Sequence, residues 1–121
     1  MNDSQPVFMQ IMEIIEGDIV RGVYEADDMI ISTTQISKVY TVNPTTAVKA
    51  IGKLADAGIL YKKRGIGMCL APGARERITE RRRNAFFNER LGALIKEAET
   101  LNISMDELVR AIKNKGVSEH D

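Results

Sequence analysis

Apolar residues recur every three or four positions near the start of the chain, which is the spacing of one helical face. These residues are Phe8, Ile11, Ile15 and Ile19. Pro6 stands before them and Gly22 after them, and the two suit the first turn of a helix and the residue past its end. The pattern predicts a first helix between these two residues.

Two further helices are predicted by their starting residues. Met29 to Ile31 is a short apolar run that suits a short buried strand, and Ser32 with Gln35 then matches a capping box. This second helix is expected to run to about Tyr40.

Asn43 and Pro44 give the third helix an N-cap and a first-turn proline, and Gly58 suits its end. Its inward face is expected to be formed by Ala47, Ala50 or Ile51, and Leu54. Helices two and three meet across Thr41 and Val42, which is the helix-turn-helix layout whose second helix enters the major groove of DNA.

A β-hairpin with a basic tip is predicted directly after the third helix. Ile59 to Tyr61 and Met68 to Leu70 flank a glycine-containing turn over 62–67. A hairpin in this place is the wing of a winged helix, whose charges can contact a phosphate or the minor groove. Edge lysines that prevent aggregation are the alternative interpretation, but the position of the hairpin favours the wing.

The last third of the chain has a helical pattern. Residues 71–73 are expected to be a linker, and Arg75 to Leu101 one long helix with apolar residues spaced four, three, four and three apart. Ser104 and Glu107 open a second amphipathic helix with a capping box.

Such a stripe is more often intramolecular core than a partner surface, but two helices alone make a thin core. We therefore predict a homodimer. Its interface is expected to comprise Phe87, Leu91, Leu94, Ala98, Leu101, Leu108 and Ile112. The predicted organisation is a DNA-binding domain over 1–70, a linker over 71–73, a dimerisation or effector segment over 74–116 and a mobile tail over 117–121.

The charge of the chain is unevenly distributed. The whole sequence balances 17 Lys and Arg against 17 Asp and Glu. Residues 1–28 carry one base and seven acids, a charge of −6, whereas residues 29–70 carry six bases and one acid, a charge of +5. The basic region coincides with the predicted helix-turn-helix and wing, as nucleic-acid binding requires. Arginines between 75 and 90 alternate with glutamates, which indicates a solvated helix face more than a second DNA contact.

Several function classes are excluded by what the chain lacks. Its one histidine is His120 and its one cysteine is Cys69, which we expect to be a small apolar strand residue. Catalysis, a metal or other cofactor site and an internal disulfide are therefore not expected. No apolar run approaches the length of a membrane span, so a cytoplasmic protein is expected.

The order of motifs resembles the GntR family of bacterial transcriptional regulators, in particular its short YtrA-type branch. The matching residues are Pro6-Val7-Phe8 with Gln10-Ile11, Gly22, Asp28, Val42-Asn43-Pro44-Thr45-Thr46, Lys49-Ala50, Leu54, Gly58-Ile59 and Gly65-Ile66-Gly67. The resemblance covers essentially the whole chain. It implies a winged helix-turn-helix and a twofold dimer that binds a pseudo-palindromic operator, usually as a repressor that a small molecule releases. A tail this short cannot enclose an ordinary ligand pocket of about 300 Å³ within one subunit, so any effector is expected at a subunit boundary.

Predicted DNA contacts lie on helix two, helix three and the wing. They are Ser32, Thr33, Thr34 and Gln35; Asn43, Pro44, Thr45, Thr46, Lys49 and Lys53; and Lys62, Lys63, Arg64, Gly65, Ile66 and Gly67. The family usually has arginines at the positions of Thr34 and Val48, and each such arginine can give about 1–3 kcal/mol of base discrimination. Helix two is therefore expected to contribute less than in relatives. A winged helix that binds protein instead of DNA is the alternative function.

Overall fold

The computed structural model describes the backbone of residues 5–120 and the side chains of residues 5–116. This part of the chain is mainly helical and has one antiparallel hairpin, which confirms the predicted fold class. The elements are α1 (Val7–Val20), α2 (Thr33–Val39), α3 (Pro44–Asp56), β1 (Leu60–Lys63), β2 (Gly67–Leu70), α4 (Ala74–Ala85), a π-helical segment (Phe86–Arg90), α5 (Leu91–Thr100) and α6 (Met105–His120). None of the described helices is long and apolar enough to cross a bilayer. The chain divides into two compact units, residues 1–80 and 81–121.

The core of the first unit is built from the apolar faces of its helices and hairpin. It includes Ile11, Ile15, Ile19, Ile36, Ala47, Ala50, Ile51, Leu54, Leu60, Leu70, Ala74 and Ile78. All the positions predicted to face inward on α3 are buried, and Phe8 packs partly buried against the core. Burial of each large aliphatic side chain contributes about 1.5–3 kcal/mol. The predicted domain boundary after residue 70 is wrong, because Ala74 and Ile78 of α4 pack in this core.

Side-chain caps define where α2 and α3 begin, as predicted. Gln35 N donates to Ser32 Oγ at 3.1 Å and Ser32 N donates to Gln35 Oε1 at 2.9 Å, which completes the capping box. At α3, Thr45 N donates to Asn43 Oδ1 at 2.8 Å and Pro44 occupies the first turn. Each cap supplies an acceptor to a backbone N–H that has no partner within the helix.

The hairpin pairs in a single register, from Leu60 opposite Leu70 to Lys63 opposite Gly67. Cys69 is buried in β2, as its interpretation as an apolar strand residue predicted. The segment predicted as a buried strand over 29–31 forms only an isolated bridge, between Met29 and Cys69. In this segment Met29 is exposed and Ile30 is buried, because successive side chains of an extended backbone point to opposite faces. The start of α2 at Thr33 leaves no room for a longer strand.

Two arginines of α4 bond to the ends of other helices in the first unit. Arg75 Nε donates to Val20 O at 3.2 Å, and Arg77 Nη2 donates to Gly58 O at 2.6 Å. These carbonyls lie at the C-terminal ends of α1 and α3, where helix dipoles favour positive charge. The sequence predicted that these arginines lie on a solvated helix face among glutamates. Instead, both make hydrogen bonds to the ends of other helices.

In the second unit, the predicted single helix is interrupted by the π-helical segment Phe86–Arg90. The Phe86 and Phe87 rings pack edge to face at 5.3 Å, and the Arg83 guanidinium lies 5.9 Å from the Phe87 ring centroid. The wider π turn shifts the apolar stripe, so the even spacing expected of an uninterrupted α-helix does not hold at Phe87.

The turn between α5 and α6 is held by short-range hydrogen bonds. Ile103 N donates to Ala98 O at 2.8 Å, and Glu107 N donates to Ser104 Oγ at 3.1 Å. The second of these is the predicted cap of α6. The backbone of α6 stays helical past Gly116 to His120. The side chains of 117–120 and the whole of Asp121 lie outside the described residues, so a mobile tail there stays a prediction.

Candidate nucleic-acid interface

The turn between α2 and α3 is fixed by a reciprocal pair of hydrogen bonds. Val42 N donates to Ser37 O at 3.1 Å, and Ser37 Oγ donates to Val42 O at 2.6 Å. Thr41 takes a left-handed conformation, with φ of 52°. This turn sets the crossing of the two helices, and α3 also packs against α1 and β1. The hydrogen bonds of the turn and the packing of α3 together determine where α3 lies in the first unit.

The N-terminus of α3 is open to solvent. Asn43, Pro44 and Thr45 are exposed and Thr46 is half-buried. The N-terminal end of a helix carries a partial positive charge and N–H groups that can bind a phosphate. Asn43 uses its side-chain oxygen as the cap, while its amide donors are not part of that bond. This turn can therefore donate hydrogen bonds to an anion or to base edges.

Lys49 lies on the side of α3 that faces α1. Its Nζ is 4.3 Å from the centroid of the Phe8 ring, a cation–π contact. Contacts of this kind at exposed sites contribute about 0.5–1 kcal/mol. The ammonium group is thereby held near a fixed place on the exposed surface, where it can still attract a phosphate.

The tip of the hairpin carries three consecutive exposed bases, Lys62, Lys63 and Arg64. Ile66 N donates to Lys63 O at 3.0 Å, and Gly65 between them has φ of 79°, which favours glycine. The tight turn brings the bases to the end of the hairpin, where their charges face solvent. This geometry suits a wing.

Hydrogen bonds anchor the hairpin to the loop after α1. Tyr61 Oη donates to Asp27 Oδ1 at 2.6 Å, and this bond is the largest cause that raises the pKa of Tyr61 to about 12. Desolvation and the charges of Asp27 and Cys69 act in the same direction. Backbone bonds from Ile30 N to Met68 O and from Leu70 N to Asp28 O support the same connection. The base of the wing is therefore tied to the loop.

All the predicted DNA contacts lie on α2, α3, their N-caps or the hairpin, within the first unit, and none is buried. Ser32, Gln35 and Asn43 have a second role as caps, and Lys49 contacts Phe8. Their roles in DNA binding stay predictions. Sequence reasoning treated Val48 only as a missing arginine, yet its side chain is 58% exposed on α3. The spacing of Val48 from Thr45 and Gly52 would have placed it on the outer face.

Comparisons with known proteins point to one family. A GntR family transcriptional regulator from Listeria monocytogenes is 31% identical, and the likeness covers 94% of this chain and 98% of that one with a TM-score of 0.72. The HTH-type transcriptional repressor YtrA of Bacillus subtilis is 26% identical over 110 residues, which span 91% of this chain and 84% of YtrA. AraR(DBD), solved in complex with operator ORR3, is 32% identical with a TM-score of 0.52, over 55% of this chain and 80% of that one. No family model matches the chain.

Proposed function

Since the chain belongs to the GntR family of transcriptional regulators, and resembles YtrA within it, we propose that it binds operator DNA sequence-specifically as a homodimer. We further propose that it acts in the cytoplasm as a repressor, as the name of its Bacillus subtilis relative, the transcriptional repressor YtrA, suggests. The solved complex of AraR(DBD) with an operator supports DNA as the partner.

One observation carries the proposal. The exposed surface of α3 and the hairpin tip holds five bases, and the acid Asp56 lies at the far end of α3. The bases are Lys49, Lys53, Lys62, Lys63 and Arg64. In a chain of net charge zero, this concentration is a local attraction for phosphates. The open N-terminus of α3 adds hydrogen-bond donors that can contact base edges.

The second unit supports the homodimer. Several of its large apolar side chains are exposed in the single chain, among them Phe87, Leu94, Leu101, Val109 and Ile112. Exposed apolar surface of this kind is typical of a protein interface. Of the predicted interface residues, Leu91 and Leu108 are half-buried, whereas Ala98 is only 5% exposed. Ala98 therefore offers little surface to a second copy.

A small-molecule effector is part of the proposal. Asp106, Val109 and Arg110 line an open groove of about 410 Å³ on α6. A second copy that covered the apolar face of α6 would narrow this groove, and its two opposite charges could bind a polar ligand. A compound that binds there should release DNA from the wild type and fail to release it from Arg110→Ala.

The test is a footprint of the purified chain on the DNA upstream of its own gene. We expect a short protected segment with twofold symmetry and no comparable protection of unrelated DNA.

Removal of the three wing bases by Lys62→Ala, Lys63→Ala and Arg64→Ala should weaken binding. Loss of three bases from the second unit, by Lys96→Ala, Lys113→Ala and Lys115→Ala, should not. If the wild type fails to retain this DNA even at low salt, the alternative function, binding of a protein, is favoured. The exposed apolar side chain of Val48, where the family resemblance implies an arginine, supports that alternative.

A further inference from the structure

The outer face of α3 holds a strip without charge beside its lysines. Thr45, Val48 and Gly52 follow one another at spacings of three and four residues, which places them on one side of the helix. All three are exposed, and Val48 is an apolar side chain 58% exposed to solvent. We call these residues the Thr45–Val48–Gly52 strip.

Gly52 is not explained by the packing of the first unit. A Cβ built on this residue would meet nothing within 4 Å, and its backbone is helical within α3. Glycine weakens the interior of a helix relative to alanine, so a residue that needs neither space nor a special φ is costly here. The space above Gly52 opens to solvent, so the absent side chain leaves room for a molecule that approaches α3 from outside.

The charged residues of α3 lie beside the strip and at its end. The Lys49 ammonium lies against Phe8, exposed Lys53 follows Gly52, and Asp56 is one turn beyond Gly52 at the end of α3. A partner that meets the strip therefore meets a methyl-bearing surface with one threonine hydroxyl at its end. Among the base edges in the major groove, the 5-methyl group of thymine is the apolar one, and small apolar side chains contact it.

On the premise of the proposed function, we propose that Val48 packs against the 5-methyl group of a thymine in each operator half-site. Gly52 gives the clearance that lets α3 approach the groove closely enough for this contact. Val48 would then contribute to specificity through an apolar contact.

The test replaces each thymine of the footprinted operator by deoxyuridine, one at a time, which removes only the methyl group. The wild type should lose about fourfold in affinity at one or more thymines of each half-site, which corresponds to about 0.8 kcal/mol for one buried methyl group. Val48→Ala should bind the uracil and thymine operators almost equally. Val23→Ala, which shortens another exposed valine outside α3, should keep the wild-type sensitivity.

Gly52→Ala tests the clearance separately. We expect a higher melting temperature, because alanine is the better helix former, together with weaker operator binding. Gly92→Ala in α5 is the matched control, since a Cβ there also meets nothing within 4 Å. It should raise the melting temperature without a loss of DNA affinity.

The failures of the two proposals are distinguishable. A wild type that protects no DNA overturns the proposed function and this inference with it. A wild type that binds its operator but tolerates uracil at every thymine overturns the inference alone. An equal uracil effect in wild type and Val48→Ala, or unchanged DNA affinity of Gly52→Ala, also contradicts it.

Discussion

Thr41 is the most strained residue of the turn that positions α3, and replacing it should stabilise the first unit. Its φ of 52° lies in the left-handed region, where a β-branched side chain is an outlier. This conformation costs an L-residue about 1–2 kcal/mol. Thr41→Gly removes that cost but gives the unfolded chain more freedom, which offsets about 0.5–1 kcal/mol. The difference between these two ranges is a net gain of about 0–1.5 kcal/mol.

Two further variants separate strain from chain entropy. Asparagine tolerates the left-handed region without the entropy of glycine, so Thr41→Asn should also gain stability. Thr41→Val keeps the β-branch and should gain nothing. Urea unfolding followed by circular dichroism measures the free energies, and a gain of 1 kcal/mol corresponds to roughly 2–8 °C in melting temperature. The reasoning is refuted if neither Gly nor Asn exceeds the wild type. DNA affinity should stay unchanged, because the bonds between Ser37 and Val42 are retained.

Three other predictions concern the core, the wing anchor and the dimer. Leu54→Ala should lower the free energy of unfolding by about 2–5 kcal/mol, because this side chain is fully buried on α3. Chemical denaturation measures this loss. A loss below about 1 kcal/mol, roughly that of one CH₂ group, would contradict the packing of Leu54 in the core. Asp27→Asn should lower the pKa of Tyr61 from about 12 towards its ordinary value of about 10 in a spectrophotometric titration. Because the folded pKa is the higher one, the stabilising effect of this bond is complete below about pH 10 and is lost between there and about pH 12. Leu94→Asp should dissociate the dimer in sedimentation and weaken operator binding, whereas Lys96→Asp should do neither; an unchanged mass for Leu94→Asp would refute the interface.

The sequence predicted what depends on neighbours along the chain. Ser32 with Gln35 and Asn43 with Pro44 defined two helix starts because each cap bonds to a backbone N–H only two or three residues away. Helical periodicity likewise identified the buried face of α3, since spacing alone decides which side chains share a face. The hairpin was predicted in the same way, from two short apolar runs that flank a turn with glycines.

The features that sequence analysis missed join distant residues. Arg75 and Arg77 bond to carbonyls 55 and 19 positions away, and no local pattern indicates those partners. The contact of Lys49 with Phe8 exists only because α1 packs on α3. The π-helical segment adds a residue to one turn without changing the apolar character of the sequence around it. The domain boundary predicted after residue 70 also came too early. The burial of Ile78 depends on tertiary packing, which no local pattern indicates.

The dependence of promoter binding on salt tests the central claim most directly. The logarithm of affinity should fall linearly with the logarithm of salt concentration, with a slope of about −0.9 for each phosphate contact. Loss of Lys62, Lys63 and Arg64 should flatten that slope by about one for each contact removed, while loss of the three second-unit lysines should leave it unchanged. A wild type whose affinity for its promoter is flat with salt, or equal to its affinity for unrelated DNA, would contradict a sequence-specific DNA-binding regulator.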